Sequence, residues 1–169
     1  MISEKMQKAF SIQINKELYS EYLYLAMQAY FAKNNLKGFA NWMSIQVQEE
    51  RAHGMGMFDY VFERGGNVEL DTIEKPKTSW NSPLEVFKDT LEHEKYVTSL
   101  INKLYDVAEE EKDRAAMMFL NWYIKEQVEE EASADDILSQ LEMIKDDKAM
   151  LLALDEKLAS RQFNPPIIK

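Results

Sequence analysis

Four glutamates and a histidine sit where a helical chain should be building its core. The series Phe39, Trp42 or Met43, Gln46, Glu50, His53, Met57, Tyr60 advances in steps of three and four, so Glu50 and His53 share the face of the apolar residues. Phe119, Tyr123, Gln127, Glu130, Ala134, Ile137, Leu141 repeats the pattern, and Phe87, Leu91, Glu94, Val97, Ile101 does so once more. Glu17 borders the stripe of the first helical segment. Carboxylates buried together are costly unless they take up protons or find cations. Two divalent metals would neutralise four such charges. An oxygen-rich set with one imidazole suits iron or manganese better than a tetrahedral structural zinc site, and a glutamate can bridge two metals through its two oxygens.

Each residue alone has a blander reading. A single inward glutamate is ordinarily a side chain that snorkels to solvent, and a lone histidine is ordinarily a hydrogen-bonded core residue. The joint pattern, four mid-helix carboxylates with Glu50-x-x-His53, favours a metal site. Tyr24 lies two turns after Glu17 on the same face, and Trp122 adjoins Tyr123; site role and simple packing both stay open for these two. His93 points about 100° away from Glu94 around its helix and is expected to face elsewhere.

The elements that must position these residues are helices. Gly and Pro number 5 and 4 in 169 residues, whereas helix formers are plentiful. Helices are expected over about 3–33, 36–64, 83–112, 114–145 and 148–160, within a single domain spanning 1–169. Met6, Phe10, Ile14, Leu18 and Leu25 mark the first, with Ser3 as N-cap; Asn34 and Asn35 make the turn to the second. Gly65 and Gly66 end the second, and Ser82, Pro83, Leu84, Glu85 start the third with a capping box. The connection over about 66–82 is long for a loop. At ~3.3 Å per residue it can stretch ~50 Å, enough to cross the whole length of a helix of roughly 45 Å. The expected fold is therefore an all-α four-helix bundle with one long crossover, helices two and three parallel, and a short fifth helix. When helices of similar length pack side by side, their midpoints meet at one level, and the four glutamates and His53 converge.

Composition narrows the partners. A net charge of −10 repels phosphate backbones and anionic membranes, so neither nucleic acid nor membrane is expected. The absence of cysteine rules out disulfides, thiolate zinc sites and iron–sulfur clusters, and is compatible with the cytoplasm. No apolar run is long enough to span a bilayer.

The order of helices, the crossover and the series Glu17, Glu50-x-x-His53, Glu94, Gln127-x-x-Glu130 resemble the ferritins, and within them the haem-free bacterial ferritins, over essentially the whole chain. The second half reads Gln127-x-x-Glu130 instead of a second Glu-x-x-His, which departs from the bacterioferritin pattern and implies a more weakly held second metal. The resemblance implies an iron-storage protein with ferroxidase activity. Fe(II) would be oxidised by dioxygen or peroxide at a dinuclear iron site and kept as a ferric mineral inside a homo-oligomeric shell of twenty-four subunits, with no haem. By the same carry-over Glu17, Glu50 and His53 bind the first iron, and Glu50, Glu94 and Glu130 the second. Gln127 bonds the oxygen-derived ligand, and Tyr24 stands by as electron donor.

Glu49, Glu126 and Glu129 occupy the next sector of their helices. The resemblance implies a third iron site there, with Glu130 shared, against the competing reading of a solvated acidic face. Met150, Leu151, Leu154 and Leu158 of the fifth helix exceed what one bundle can cover and are expected to pack between subunits, around the fourfold axis that the resemblance implies. Two rivals remain: a redox enzyme that keeps dinuclear iron as a resident cofactor, and a metal-free helical interaction protein.

Overall fold

The computed structural model describes residues 1–168. Among them the chain forms α1 (Glu4–Lys33), α2 (Lys37–Glu63), α3 (Pro83–Glu110), α4 (Arg114–Ile144) and α5 (Lys148–Leu158), with no strand. The starts obey the capping chemistry. Ser3 Oγ accepts from Met6 N, Ser82 Oγ from Glu85 N, and Asp113 from Ala116 N. Glu85 does not close the box on Ser82 as expected; its Oε2 accepts from the backbone and side-chain nitrogens of Asn81. At the two short turns Asn35 and Lys112 adopt positive φ of 59° and 54°, which ends α1 and α3 within a residue or two.

Two apolar clusters fix the directions of the helices. One gathers Leu23, Met27 and Phe31 with Phe39, Trp42, Phe87, Ile137 and Leu141; the other gathers Met6, Phe10 and Ile14 with Met57, Val61, Ile101, Leu104 and Leu120. α1 and α4 pass from the second cluster to the first, and α2 and α3 pass from the first to the second. Helices α2 and α3 are thus parallel, and the crossover must run the length of the bundle.

It runs along α1, pinned by a ladder of side chains one turn apart. Gln7 Oε1 accepts from Asn67 N at 2.8 Å, Ser11 Oγ from Glu69 N at 3.1 Å, and Asn15 Nδ2 donates to Thr72 O at 3.1 Å. Farther along, Lys77 bonds Glu85 and Asp89, and Trp80 Nε1 donates to Asp89 Oδ2. The stripe expected for α1 needs one correction: Leu25 is exposed, and the inward positions in its turn are Leu23, Tyr24 and Met27.

α1 packs on α2 and α3, and α3 on α4, whereas α2 and α4 stand apart, with no Cα pair within 8 Å among the described residues. α5 folds back onto α2. Leu154 and Leu158 are buried in the chain's own first cluster, with Leu151 partly buried against it, so the expectation that they pack between subunits is corrected; Met150 and Leu152 stay exposed. Gly38 makes the docking feasible, since a Cβ there would lie 1.6 Å from Asp155 O.

Candidate metal centre

Between the two apolar clusters lies a polar layer at mid-helix, reached by all four long helices. Glu17 comes from α1, Glu50 and His53 from α2, Glu94 from α3, Gln127 and Glu130 from α4; the four glutamates and His53 are each at most 5% exposed. α1 and α2 are close at this level: a Cβ built on Gly54 would meet Glu17 Cβ at 3.4 Å, in van der Waals contact. Across the wider α2–α4 gap the Tyr123 hydroxyl donates to His53 O at 2.9 Å.

Glu17, Glu50 and His53 each offer a donor atom within 4.8 Å of the others, and so do His53, Glu126 and Glu130. His53 lies between the groups, with Nδ1 3.6 Å from Glu50 Oε2 and Nε2 3.9 Å from Glu126 Oε1. Two of these atoms, Glu50 Oε2 and His53 Nε2, are buried without a hydrogen-bond partner. Buried polar atoms are otherwise nearly always satisfied, so each calls for a partner, Glu50 Oε2 on the Glu17 side and His53 Nε2 on the Glu126 side.

Glu94 is held from both sides. The Tyr24 hydroxyl donates to its Oε1, and Gln127 Nε2 to its Oε2 at 3.1 Å and to its backbone oxygen at 3.3 Å. Tyr24 is fully buried, and burial followed by the charge of Glu94 keeps its hydroxyl protonated far above the ordinary range. Burial, then the negative charge of Glu94, Glu17 and Glu130, drives the Glu50 carboxyl well above its usual value; burial and Glu130 push Glu94 up to about 8. Glu50 and Glu94, whose ionisation is opposed by burial and like charge, are primed to exchange protons for metal.

Two amides complete this layer, Gln13, which the sequence reading missed, and Gln46, which it placed inward without a role. Gln13, one turn before Glu17 and 3% exposed, donates to Glu17 Oε1 at 2.8 Å; Gln46 Nε2 donates to Glu130 Oε2 at 2.9 Å. The spacing Gln13–Glu17 and Gln46–Glu50, polar residues four apart on an apolar stripe, was the available signal. Trp122 sits edge-on to His53 with ring centroids 5.5 Å apart. His93 turns away from the carboxylates, and its Nε2 lies 2.8 Å from Ser20 Oγ.

The outer carboxylates divide. Glu126, its pKa raised to about 7 by burial and Glu130, reaches the His53 group. Glu49 is raised to about 7 by burial, against the pull of Arg161, with which it pairs at 2.7 Å. Glu129 is exposed and joins neither group of donor atoms.

A family model describing a ferritin-like domain matches residues 7–144. A bacterial non-heme ferritin of Bacteroides fragilis is 44% identical over 161 residues, 95% of this chain and 100% of that protein. One from Staphylococcus epidermidis is 41% identical over 97% of this chain and 99% of its own length. Among solved structures, a closed form of the Archaeoglobus fulgidus ferritin obtained by mutagenesis is 54% identical, covers 97% of this chain and 100% of that one, and superposes with a TM-score of 0.96. The open-pore ferritin of the same archaeon gives 0.94 at 54% identity, over 96% and 100%.

Proposed function

The chain belongs to the ferritin family and stores iron, and from that premise we propose that it loads its store by oxidising Fe(II) at the mid-bundle layer. The observation that supports the site most directly is the buried Glu50 Oε2, without a hydrogen-bond partner and 3.6 Å from His53 Nδ1, within a cluster of ligand-type donors. Iron is here the substrate. Glu17, Glu50 and His53 receive the first Fe(II), and Glu50, Glu94 and Glu130 the second, with Glu50 touching both. Two Fe(II) then surrender one electron each, which with two protons reduces dioxygen to hydrogen peroxide; peroxide can serve as oxidant in its turn. The anionic ligands favour Fe(III) and so supply driving force. Gln127 fixes Glu94 and turns to the oxygen-derived ligand when its amide is released from Glu94, and Tyr24 stands as a protonated donor against Glu94.

Carboxylates exchange ligands readily, so the product moves on to mineral inside a shell of twenty-four copies in the cytoplasm. The exposed apolar residues Ile12, Tyr22 and Leu25 on α1, with Leu70 and Ile73 on the crossover, give such copies surface to bury. No helix among the described residues is long and apolar enough to cross a membrane. An outer station at Glu49 and Glu126, with Glu129 at its rim and Glu130 shared, receives a third iron in transit.

The test is stopped-flow oxidation at about two Fe(II) per chain, followed by loading to large excess. Glu50→Ala is expected to lose fast oxidation, by about a hundredfold or more if both metals depend on it. Wild-type rates in that variant would defeat the assignment, and an uptake that stops at two irons would point to a resident cofactor instead of a store.

A further inference from the structure

On the side of the dinuclear layer where His53 meets Glu126 and Glu130, Glu49 lies near enough to feel the charge of both carboxylates, though it offers no atom to their donor group. His53 Nε2, 2% exposed and without a partner, lies 3.9 Å from Glu126 Oε1. To this side reaches a cation from the far end of the sequence. Arg161, in the tail beyond α5, donates from Nη2 to Glu49 Oε2 at 2.7 Å, and from Nη1 to Gln46 Oε1 at 2.6 Å and Trp42 O at 3.3 Å. Its guanidinium lies over the Trp42 ring, 4.6 Å from the centroid. The tail is fastened at this point, since Asn41 Nδ2 donates to Arg161 O at 3.0 Å and also reaches the oxygens of Leu158 and Ala159.

The guanidinium governs two carboxylates. Glu49 it pairs directly. Gln46, its oxygen engaged by Arg161, turns its nitrogen to Glu130 Oε2 at 2.9 Å. We propose that Arg161 is a tethered cation that competes with metal for Glu49 and holds Gln46 against Glu130, so that the outer station fills only when the guanidinium withdraws. This makes Arg161 a positioning residue, and the inference rests on the dinuclear reading given above.

The chemistry favours competition over mere packing. An arginine keeps its charge at every working pH and its fork matches a carboxylate, so a metal arriving at Glu49 meets a neutralised ligand. Only the terminal fork must move, because the Trp42 face can retain the guanidinium when Glu49 is taken. When the ion leaves, the tethered charge is already at hand to replace it. An outer station built in this way holds iron briefly, as transfer between the core site and a store requires.

The assembled protein titrated with Zn(II), a probe that no oxidant alters, tests the idea by calorimetry and by anomalous diffraction on soaked crystals. In wild type the core positions fill first and the outer one weakly. Arg161→Gln is expected to tighten the outer position about tenfold, and Arg161→Lys, which keeps charge but not the fork, to tighten it about threefold. In a background carrying both Glu49→Gln and Gln46→Ala, which removes both routes by which the guanidinium acts on the carboxylates, the Arg161→Gln substitution should change outer affinity by less than about twofold. Equal outer affinity in wild type and Arg161→Gln, or a gain that persists in that double background, overturns the proposal. Should Arg161→Gln fail to assemble, Arg161→Lys decides: the threefold gain supports competition, and no gain refutes it. Absence of zinc from the core of wild type would instead refute the dinuclear reading, while a difference at the outer position between wild type and either variant would still stand.

Discussion

At either end of the bundle the helices meet through aromatic and aliphatic side chains, Phe31 stacked on Phe39 at one end and Tyr60 on Phe119 at the other. In the middle the same four helices meet through carboxylates, amides and an imidazole. The ends are stabilised by burial alone and need nothing from solution. The middle gathers like charges that repel, and it lacks partners for Glu50 Oε2 and His53 Nε2. Stability and reactivity are thus separated along the helix axis. The apolar ends hold the helices in register, and that register fixes where the carboxylates meet.

Phe87 is fully buried against Phe31, Phe39 and Trp42. Phe87→Ala is expected to cost about 3–5 kcal/mol in denaturant melts, by the same amount with and without metal. A cost that depends on metal would show that the two regions are not independent.

A smaller effect belongs to the middle and to pH. Glu94 has a folded pKa raised to about 8, and that of Glu50 is raised too, above the ordinary carboxyl value of 4.5. At acidic pH these groups are protonated in both states and cost nothing. As pH rises past 4.5 the unfolded chain ionises first, so the metal-free fold loses stability until pH passes the folded value near 8. At about 1.4 kcal/mol per pKa unit the loss should amount to several kcal/mol for the metal-free protein, and bound metal should remove most of it. Melts from pH 5 to 8 with chelator and with Zn(II) measure it; a metal-free protein that gains stability over that range would contradict the account.

Glu50→Gln removes one of the repelling charges at nearly constant shape. It is expected to stabilise the metal-free protein at pH 8 by about 1–2 kcal/mol while abolishing the stabilisation by metal. A variant destabilised under both conditions would mean that Glu50 serves packing.

What the sequence disclosed follows from periodicity. Steps of three and four placed Glu50, His53, Gln127 and Glu130 inward, and the caps Ser3 and Ser82 stand where their residue types imply. Periodicity alone misjudged Leu25, which lies at the edge of the stripe, where neighbouring helices decide which side of an apolar sector is covered. It was silent on contacts between distant segments. Gln7, Ser11 and Asn15 form a polar row on α1 that could have served solvent equally well, until the crossover is seen lying against it. Arg161 carries no local mark at all; only the docking of α5 brings it beside Glu49, 112 residues away. The docking itself escaped because α5 reads as an amphipathic helix without an address, and its match is the glycine at position 38.

That match bears on the order in which the protein is made. α2 starts at Leu36 without a side-chain cap of its own, and Asp155 Oδ1 accepts from Phe39 N at 2.9 Å across 116 residues. At the usual pace of translation the missing acceptor arrives on the order of ten seconds after Phe39 has been joined to the chain. Until then the first turn of α2 is open to water, and the surface around Gly38 that receives α5 is bare. A polypeptide cut short before Asp155 keeps that opening, so the amino end of α2 is finished only in a chain that also carries α5.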